Sequence, residues 1–351
     1  MARASMGFMA KKNRILTGDR PTGPLHLGHF VGSLQNRVVL QDTHDQFVMI
    51  ADMQALTDNF KTPEKVSTNV FEVMLDYLAV GIDPKKTTIF LQSQIPEIAA
   101  LALYLLNLTT LAQLQQNPTI KDEMRQRGFK HELPMGFLAY PVSQAADITA
   151  FDAELVPVGE DQLPVIELTR DIVRKFNQLY GETLILPKAH LSTTPRLPGI
   201  DGKEKMSKSL GNTINLSDDA VTVKKKVMKM YTDPTRIHAT DPGHIEDNVV
   251  FMYLDIFDQN KNELEDLKKQ YKKGSVGDVV IKERLTNILN ELLDPLRERR
   301  THYEKNKKEV FKILEAGTEK ARAIASNTLV RVHKAIGVNY FYIDELPFLR
   351  Y

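Results

Sequence analysis

From Arg14 to about Asn215 short apolar runs alternate with stretches of helical periodicity, and beyond Leu216 the apolar runs nearly vanish. No other feature of the chain restricts its fold as much. "RILTG" from Arg14, "QFVMIAD", "TTIFLQ" and "ELVPVG" from Glu154 read as strands. The second is apolar without alternation, as strands covered on both faces are. Residues 25–40 carry apolar residues at helical spacing. Thr62 and Pro63 open a helix whose stripe of Val66, Val70, Phe71, Met74, Leu75 and Leu78 stops at Gly81. "DQLPVIELTRDIVRKFN" continues the fourth strand as a helix, with Pro164 in its first turn, where a missing N–H costs little. Strands separated by crossover helices predict a parallel sheet, hence an α/β fold of Rossmann-like type. After residue 215, lysine-rich amphipathic segments predict an all-helical unit. The expected layout is an N-terminal extension over 1–13, a parallel-sheet domain over 14–215, a helical domain over 216–336 and a C-terminal tail over 337–351. The last helices of the third part are free to return to the sheet.

With 351 residues the chain can bury a large core. Its formal net charge of +1 excludes a polycation that binds nucleic acid indiscriminately, while leaving room for local basic patches. The absence of cysteine excludes disulfides, thiolate zinc sites and cysteine nucleophiles together. "MARASMGFMAKKNR" lacks the apolar run of a signal peptide, and no later stretch is long enough to span a bilayer. A soluble, cytoplasmic protein with no membrane partner is expected.

"PTGPLHLGHFVGS", from Pro21 to Ser33, places His26 and His29 around Gly28 just after the first strand. A zinc site would need a third ligand, and His44, His131, His190 and His238 are scattered without a pairing pattern. No metal is therefore expected there. Gly18, Pro21 and Gly23 shape a tight turn instead, and Gly28 removes a side chain between two imidazoles predicted to share a helix face. A nucleotide could lie close to such a backbone, although the chain has neither a Walker motif nor a GxGxxG. "KEKMSKSLGN" adds a second element, in which Lys205 and Lys208 flank a short flexible stretch with Ser207 and Ser209.

Together HLGH and the intact Lys205-Met206-Ser207-Lys208-Ser209 resemble the two signatures of the class I aminoacyl-tRNA synthetases. Within that family the chain is similar to the small dimeric subgroup for tryptophan and tyrosine. "YPVSQAADI", "VPVGEDQ" and "ELTRDIVRKFN" are close to the pattern of its bacterial tryptophan members. The resemblance runs from about Arg14 to Ile336 and implies that 14–215 is a Rossmann-like catalytic domain and 216–336 a helical domain that binds the tRNA anticodon. It implies activation of an amino acid by ATP to an aminoacyl-adenylate and pyrophosphate, followed by transfer to tRNA. Because the attacking carboxylate is already ionised at neutral pH, no general base is required, and catalysis rests on positioning and electrostatics. On that basis His26, His29, Lys205 and Lys208 are the expected catalytic residues, the histidines holding phosphates and the lysines neutralising the departing pyrophosphate. Arg20, Pro21, Thr22, Gly28, Gly159, Glu160, Asp161, Leu197, Met206, Ser207 and Ser209 complete the expected ATP site. Within it Gly159 to Asp161 face the ribose and the backbone near Leu197 faces the adenine. Mg²⁺ is expected to arrive with ATP, held by phosphates and water more than by protein.

Tyr140, Gln144 and Asp147 are spaced four and three apart, so one helix face presents all three. Indole N–H only donates and a phenol OH both donates and accepts, so Asp147 alone does not choose between them. Gln144 matches the tyrosine enzymes, where bacterial tryptophan enzymes commonly carry methionine. Leu16 stands where tyrosine enzymes place a tyrosine for the substrate hydroxyl, and a leucine cannot hydrogen-bond a phenol. By resemblance Val156 and Val158 line an indole pocket and Gln162 reaches the amino acid's polar end. Tryptophan is the expected substrate, with tyrosine as the alternative.

The clusters "VKKKVMKMY", "KKQYKK", "RERR" and "HYEKNKK" in the helical half fit a surface for tRNA(Trp) phosphates. A homodimer is implied by the family. Two other readings stand beside this one: an adenylyltransferase sharing the HLGH-type turn, which would lack the second motif and the helical domain, and a non-catalytic tRNA- or amino-acid-binding paralogue, which would not need the histidines and lysines. Gln144 also fits an auxiliary second copy of a tryptophan enzyme.

Overall fold

The computed structural model of the protein describes residues 12–127, 133–191, 197–202 and 206–340, apart from 234, 237 and 239. Lys205, most of the N-terminal extension and the end of the tail therefore lie outside the described residues, as does the side chain of Ser209.

Five parallel strands form one sheet: β1 (Arg14–Asp19), β2 (Asp45–Ile50), β3 (Thr87–Leu91), β4 (Leu155–Val158) and β5 (Lys188–Leu191). Their spatial order is β3-β2-β1-β4-β5. The first four are the strands expected from the apolar runs. The fifth went unanticipated because it lies at an edge and is largely exposed, so it carries no apolar run. The order of the sheet reverses between β1 and β4, where parallel sheets of this kind open a crevice at the carboxyl ends of the strands.

Helices cover both faces. On one side the segment 27–40 and the helices Pro63–Val80, Ala220–Met228, Val249–Phe257 and Asp278–Lys305 share a core that includes Leu25, Val48, Leu75, Val223, Leu254 and Leu285. On the other, Pro96–Leu106, Met135–Ala150 and Leu163–Tyr180 enclose Phe47, Phe90 and Phe151. These three rings are fully buried with centroids 4.7 to 6.2 Å apart, each contributing about 1.5–3 kcal/mol by leaving water. They bind β2 and β3 to the end of the helix that carries Asp147.

The last helix, Lys307–Ile336, returns to the sheet, with Ala321, Ala325 and Val332 in the second core. It lies along the outer edge of β3. The Leu91 N–H donates to Thr318 Oγ1 at 3.1 Å, so a strand edge that would otherwise invite further pairing is covered. The approach is close enough that a Cβ on Gly317 would overlap the Ile89 carbonyl oxygen. That contact explains a glycine in a helix interior, where it otherwise costs about 1 kcal/mol.

Two local expectations are corrected. The helical segment expected from Leu25 begins at Leu27, and Phe30–Leu34 forms a wider π-turn before the α-helix Gln35–Leu40. Leu25 and His26 instead pair antiparallel with residues 214–216. His26 bridges Asn215, Leu27 N–H donates to the Ile214 carbonyl at 2.9 Å, and Leu216 N–H donates to the Leu25 carbonyl at 2.9 Å. Satisfying these backbone groups across the strand–helix junction competes with, and replaces, a first helical turn.

Candidate active site

The crevice at the switch point holds a cavity of about 360 Å³. Leu16, Arg20, Tyr140, Gln144, Asp147, Val156, Val158, Gly159 and Gln162 all line it, so the structure brings together the expected amino-acid pocket residues from β1, β4 and one helix. Leu16 and Val156 are buried and supply apolar walls. Asp147 is 2 % exposed, and one carboxylate oxygen accepts from Gln92 Nε2 at 2.8 Å. Burial pushes its pKa up to about 7, against the pull of the Gln92 hydrogen bond. Near neutral pH this carboxyl is thus poised between its neutral and charged forms, and a hydrogen-bond donor placed against it favours the charged one.

Gln92 was not singled out from sequence, although it ends the third predicted strand. Its Oε1 accepts the Gln54 N–H at 3.0 Å while its Nε2 holds Asp147, so it fixes the carboxyl's orientation. Gln54 also lines the cavity, with a buried Oε1 that has no hydrogen-bond partner.

The two histidines stand beside this cavity. His26 has extended backbone and precedes the helix, so the shared helix face expected for the pair is not what joins them. Their rings nevertheless meet, with centroids 3.8 Å apart and planes tilted by 48°. The His26 backbone N–H donates to His29 Nδ1 at 3.2 Å, which leaves the His29 proton on Nε2. Burial, helped for both by the Lys208 cation, lowers the pKa of His26 to about 2 and of His29 to about 4. Both rings are neutral at pH 7 and can offer hydrogen bonds but no charge. Among the described residues no group of three His, Asp or Glu side chains could hold a metal ion.

Asp19, at the end of β1, acts against this lowering of the histidines. It accepts from Arg37 Nη1 at 2.5 Å and from the Tyr77 hydroxyl at 2.8 Å. Burial opposes its charge, but Arg37, His29 and these hydrogen bonds hold the carboxyl well below the usual carboxylate range. Asp19, Arg37 and Tyr77 come from separate elements, so no local pattern marks them.

The second motif reaches the first directly. Met206 is buried, its N–H donates to the Leu197 carbonyl at 3.3 Å, and its Sδ accepts the Gly28 N–H at 3.4 Å. Lys208 Nζ donates to the Gly23 carbonyl at 2.6 Å. Burial lowers the Lys208 pKa to about 8, with Asp19 and Asp76 acting against it. Ser207 N–H donates to Asn212 Oδ1 at 2.8 Å. A Cβ on Gly28 would lie 2.9 Å from His26 ring atoms and 3.4 Å from Met206 Cβ, so this contact requires glycine. Pro21 is buried, and Glu160 and Asp161 are exposed at the rim beside Gly159. Arg20 pairs with Asp58 at 3.3 Å.

One expected basic surface is not a surface. In "RERR", Arg297 donates to the Asp218 carbonyl at 2.8 Å, Arg299 to the Ala79 carbonyl at 2.6 Å, and Arg300 to Asp76 and Glu72. Arg299 and Arg300 reach across to the helix Pro63–Val80 of the sheet half, and Arg297 turns onto the backbone at Asp218. Lys224, Lys225, Lys229, Lys272, Lys273, Lys305, Lys307 and Lys308 remain exposed.

A parallel sheet with a cavity at its switch point, and beside it a histidine turn whose Gly23 and Gly28 meet Lys208 and Met206 of the second motif, has the layout of an enzyme site built where two sequence motifs converge. Residues 9–294 match the family described as tRNA synthetases class I (W and Y), and the chain belongs to that family. It is 57% identical to a tryptophan--tRNA ligase of Clostridium longisporum over 335 residues, covering 94% of this chain and 98% of that one. A tryptophan--tRNA ligase of Streptococcus pyogenes is 56% identical over 335 residues, covering 93% and 98%. Among solved structures, the tryptophanyl-tRNA synthetase of Campylobacter jejuni complexed with ADP and tryptophan is 33% identical with a TM-score of 0.82, covering 92% of this chain and 99% of that one.

Proposed function

We infer that the chain activates L-tryptophan with ATP, releasing pyrophosphate, and passes the tryptophanyl group to tRNA(Trp): it acts as a tryptophan--tRNA ligase. The observation that carries this reading is the contact of Gly28 and Gly23 with Met206 and Lys208 beside a cavity floored by Asp147. The tryptophan carboxylate attacks the α-phosphorus, an O–P bond forms, and the bond to the pyrophosphate oxygen breaks. Charge then builds on the leaving group. Lys208 supplies a cation on that side, and His29 Nε2–H donates to a phosphate oxygen without adding charge. Lys205, outside the described residues, has the second cationic role by resemblance. The Asp19 carboxylate is already engaged by Arg37 and Tyr77, so Mg²⁺ accompanies ATP on its phosphates and water.

In the cavity Asp147 accepts the indole N–H. Leu16 favours tryptophan over tyrosine because it offers an apolar wall to an indole and withholds the second partner that a phenol hydroxyl, both donor and acceptor, would need beside Asp147. The exposed lysines of the helical half meet tRNA phosphates in the cytoplasm. Leu103, Leu106, Leu111 and Met135 are exposed on helices that pack on one another, and support a homodimer; sedimentation should give twice the chain mass. No described helix is long and apolar enough to cross a membrane.

The test of the reaction is amino-acid-dependent exchange of labelled pyrophosphate into ATP, run with tryptophan and tyrosine in parallel. Exchange with tryptophan alone is expected. Exchange with tyrosine would give Gln144 more weight than Leu16, and silence with both would refute the adenylation reading.

A further inference from the structure

The inward arginines of helix Asp278–Lys305 lead to the turn that carries His26, by two separate routes. On one side, Asp76 is fully buried and divides its carboxylate. Oδ1 accepts from Arg300, and Oδ2 accepts the backbone N–H of Leu25 at 2.8 Å. Arg300 also grips Glu72, one turn before Asp76, through its side chain and its carbonyl. On the other side, Arg297 donates to the Asp218 carbonyl at 2.8 Å, and the Asp218 carboxylate accepts the Asn215 N–H at 2.8 Å. Asn215 is the residue bridged to His26. Arg297 and Arg300 are three apart, so they project from one face of the helix. Asp76 touches no reacting atom, although its charge also favours the cationic form of Lys208, and a buried carboxylate persists only where it is paired and hydrogen-bonded. Its two partners are a cation of the helical half and the amide immediately before His26.

We propose that Arg300 and Asp76 are positioning residues for adenylate formation, holding the Leu25 amide and thereby the His26–His29 pair in place for the ATP phosphates. The turn is then built jointly by the sheet and by the helix on which the lysine-rich half is mounted. A shift of that helix on binding a polyanionic partner would move the phosphate side of the site and leave the tryptophan cavity undisturbed. This rests on the adenylation reading above. Arg299 provides the internal control. It ties the same helix to the Ala79 carbonyl at 2.6 Å but touches neither Asp76 nor Asp218.

The experiment is tryptophan-dependent pyrophosphate exchange on the full chain, with KM for ATP and for tryptophan resolved and rates normalised to active-site titration. Wild type, Arg300→Ala, Arg300→Lys, Asp76→Asn and Arg299→Ala are compared. Misplacement of the histidine pair in Arg300→Ala should lower kcat/KM for ATP by roughly 10- to 100-fold, with KM for tryptophan within about twofold of wild type. Arg300→Lys keeps a cation opposite Asp76 and should recover much of the loss. Asp76→Asn should fall between the two, and Arg299→Ala should match wild type. If Arg300→Ala does not fold, the contrast of Asp76→Asn with Arg299→Ala decides. Equal losses in Arg299→Ala and Arg300→Ala, parallel rises in both KM values, or no change in Asp76→Asn would overturn the proposal. An inactive wild type would instead overturn the adenylation reading itself.

Discussion

Asp147→Asn should make the protein more stable and less able to hold its amino acid. The folded-state pKa of Asp147 is about 7, raised by burial from an ordinary value of 3.8. A raised carboxyl binds its proton more tightly folded than unfolded. Between the two pKa values the native state therefore carries more protons, and stability falls as pH rises. About three pKa units correspond to an order-of-magnitude penalty of ~4 kcal/mol once the group is fully ionised. Part of that penalty is already present at pH 5.5, which leaves about 2 kcal/mol to be lost between pH 5.5 and 8.5. Asparagine keeps an acceptor for Gln92 Nε2 but never ionises. Urea unfolding of both proteins at the two pH values should show wild type losing about 2 kcal/mol relative to the variant across that interval. Tryptophan affinity should behave oppositely. An indole donor favours the carboxylate, so wild-type Kd should fall as pH rises through about 7, while the variant binds weakly at every pH. Parallel unfolding curves for the two proteins would refute the assignment of Asp147 as a group destabilised by its burial.

Other outcomes follow from the same geometry. Gly28→Ala places a methyl 2.9 Å from the His26 ring, and should reduce pyrophosphate exchange at least tenfold, roughly, with tryptophan binding retained by calorimetry. Lys208 is a cation below a pKa of about 8 and loses its charge as pH rises through it. KM for ATP should therefore climb between pH 7.5 and 9, roughly, and Lys208→Arg should flatten that climb; a flat wild-type profile would count against the lysine. Gly317→Ala forces the last helix away from the Ile89 carbonyl and should cost about 1–3 kcal/mol in urea unfolding. Its effect on KM for tryptophan should be small.

Much of this architecture was legible in sequence because β1, β2 and β3 and their helices are buried enough to impose an apolar pattern, and the short β4 still carries Leu155, Val156 and Val158. β5 escaped because Lys188 and His190 alternate with little hidden from water, so no apolar pattern is needed. The candidate nucleotide side could be proposed because its motifs are consecutive residues, HLGH and KMSKS, and their contact through Gly28 and Met206 depends on no distant element for its residue types. The pocket side was partly legible, since Tyr140, Gln144 and Asp147 share a helix face. What could not be read were the partners that hold these residues. Asp19 meets Arg37 and Tyr77 across separations of 18 and 58 residues, and Asp147 meets Gln92 across 55. The "RERR" cluster misleads for the same reason. A run of arginines has the composition of a solvated face, and only the position of Asp76, 224 residues earlier, turns Arg300 inward.

That the final helix closes the outer edge of β3 bears on how the molecule is made. The Leu91–Thr318 hydrogen bond spans 227 residues. At ordinary elongation rates, residue 318 leaves the ribosome roughly 10–45 s after residue 91. Throughout that interval the nascent sheet has an open strand edge, and the histidine turn lacks its arginine anchors. An unpaired strand edge of that kind is a template for wrong pairing, so the exposure of β3 during synthesis lasts until the final helix emerges to cover it.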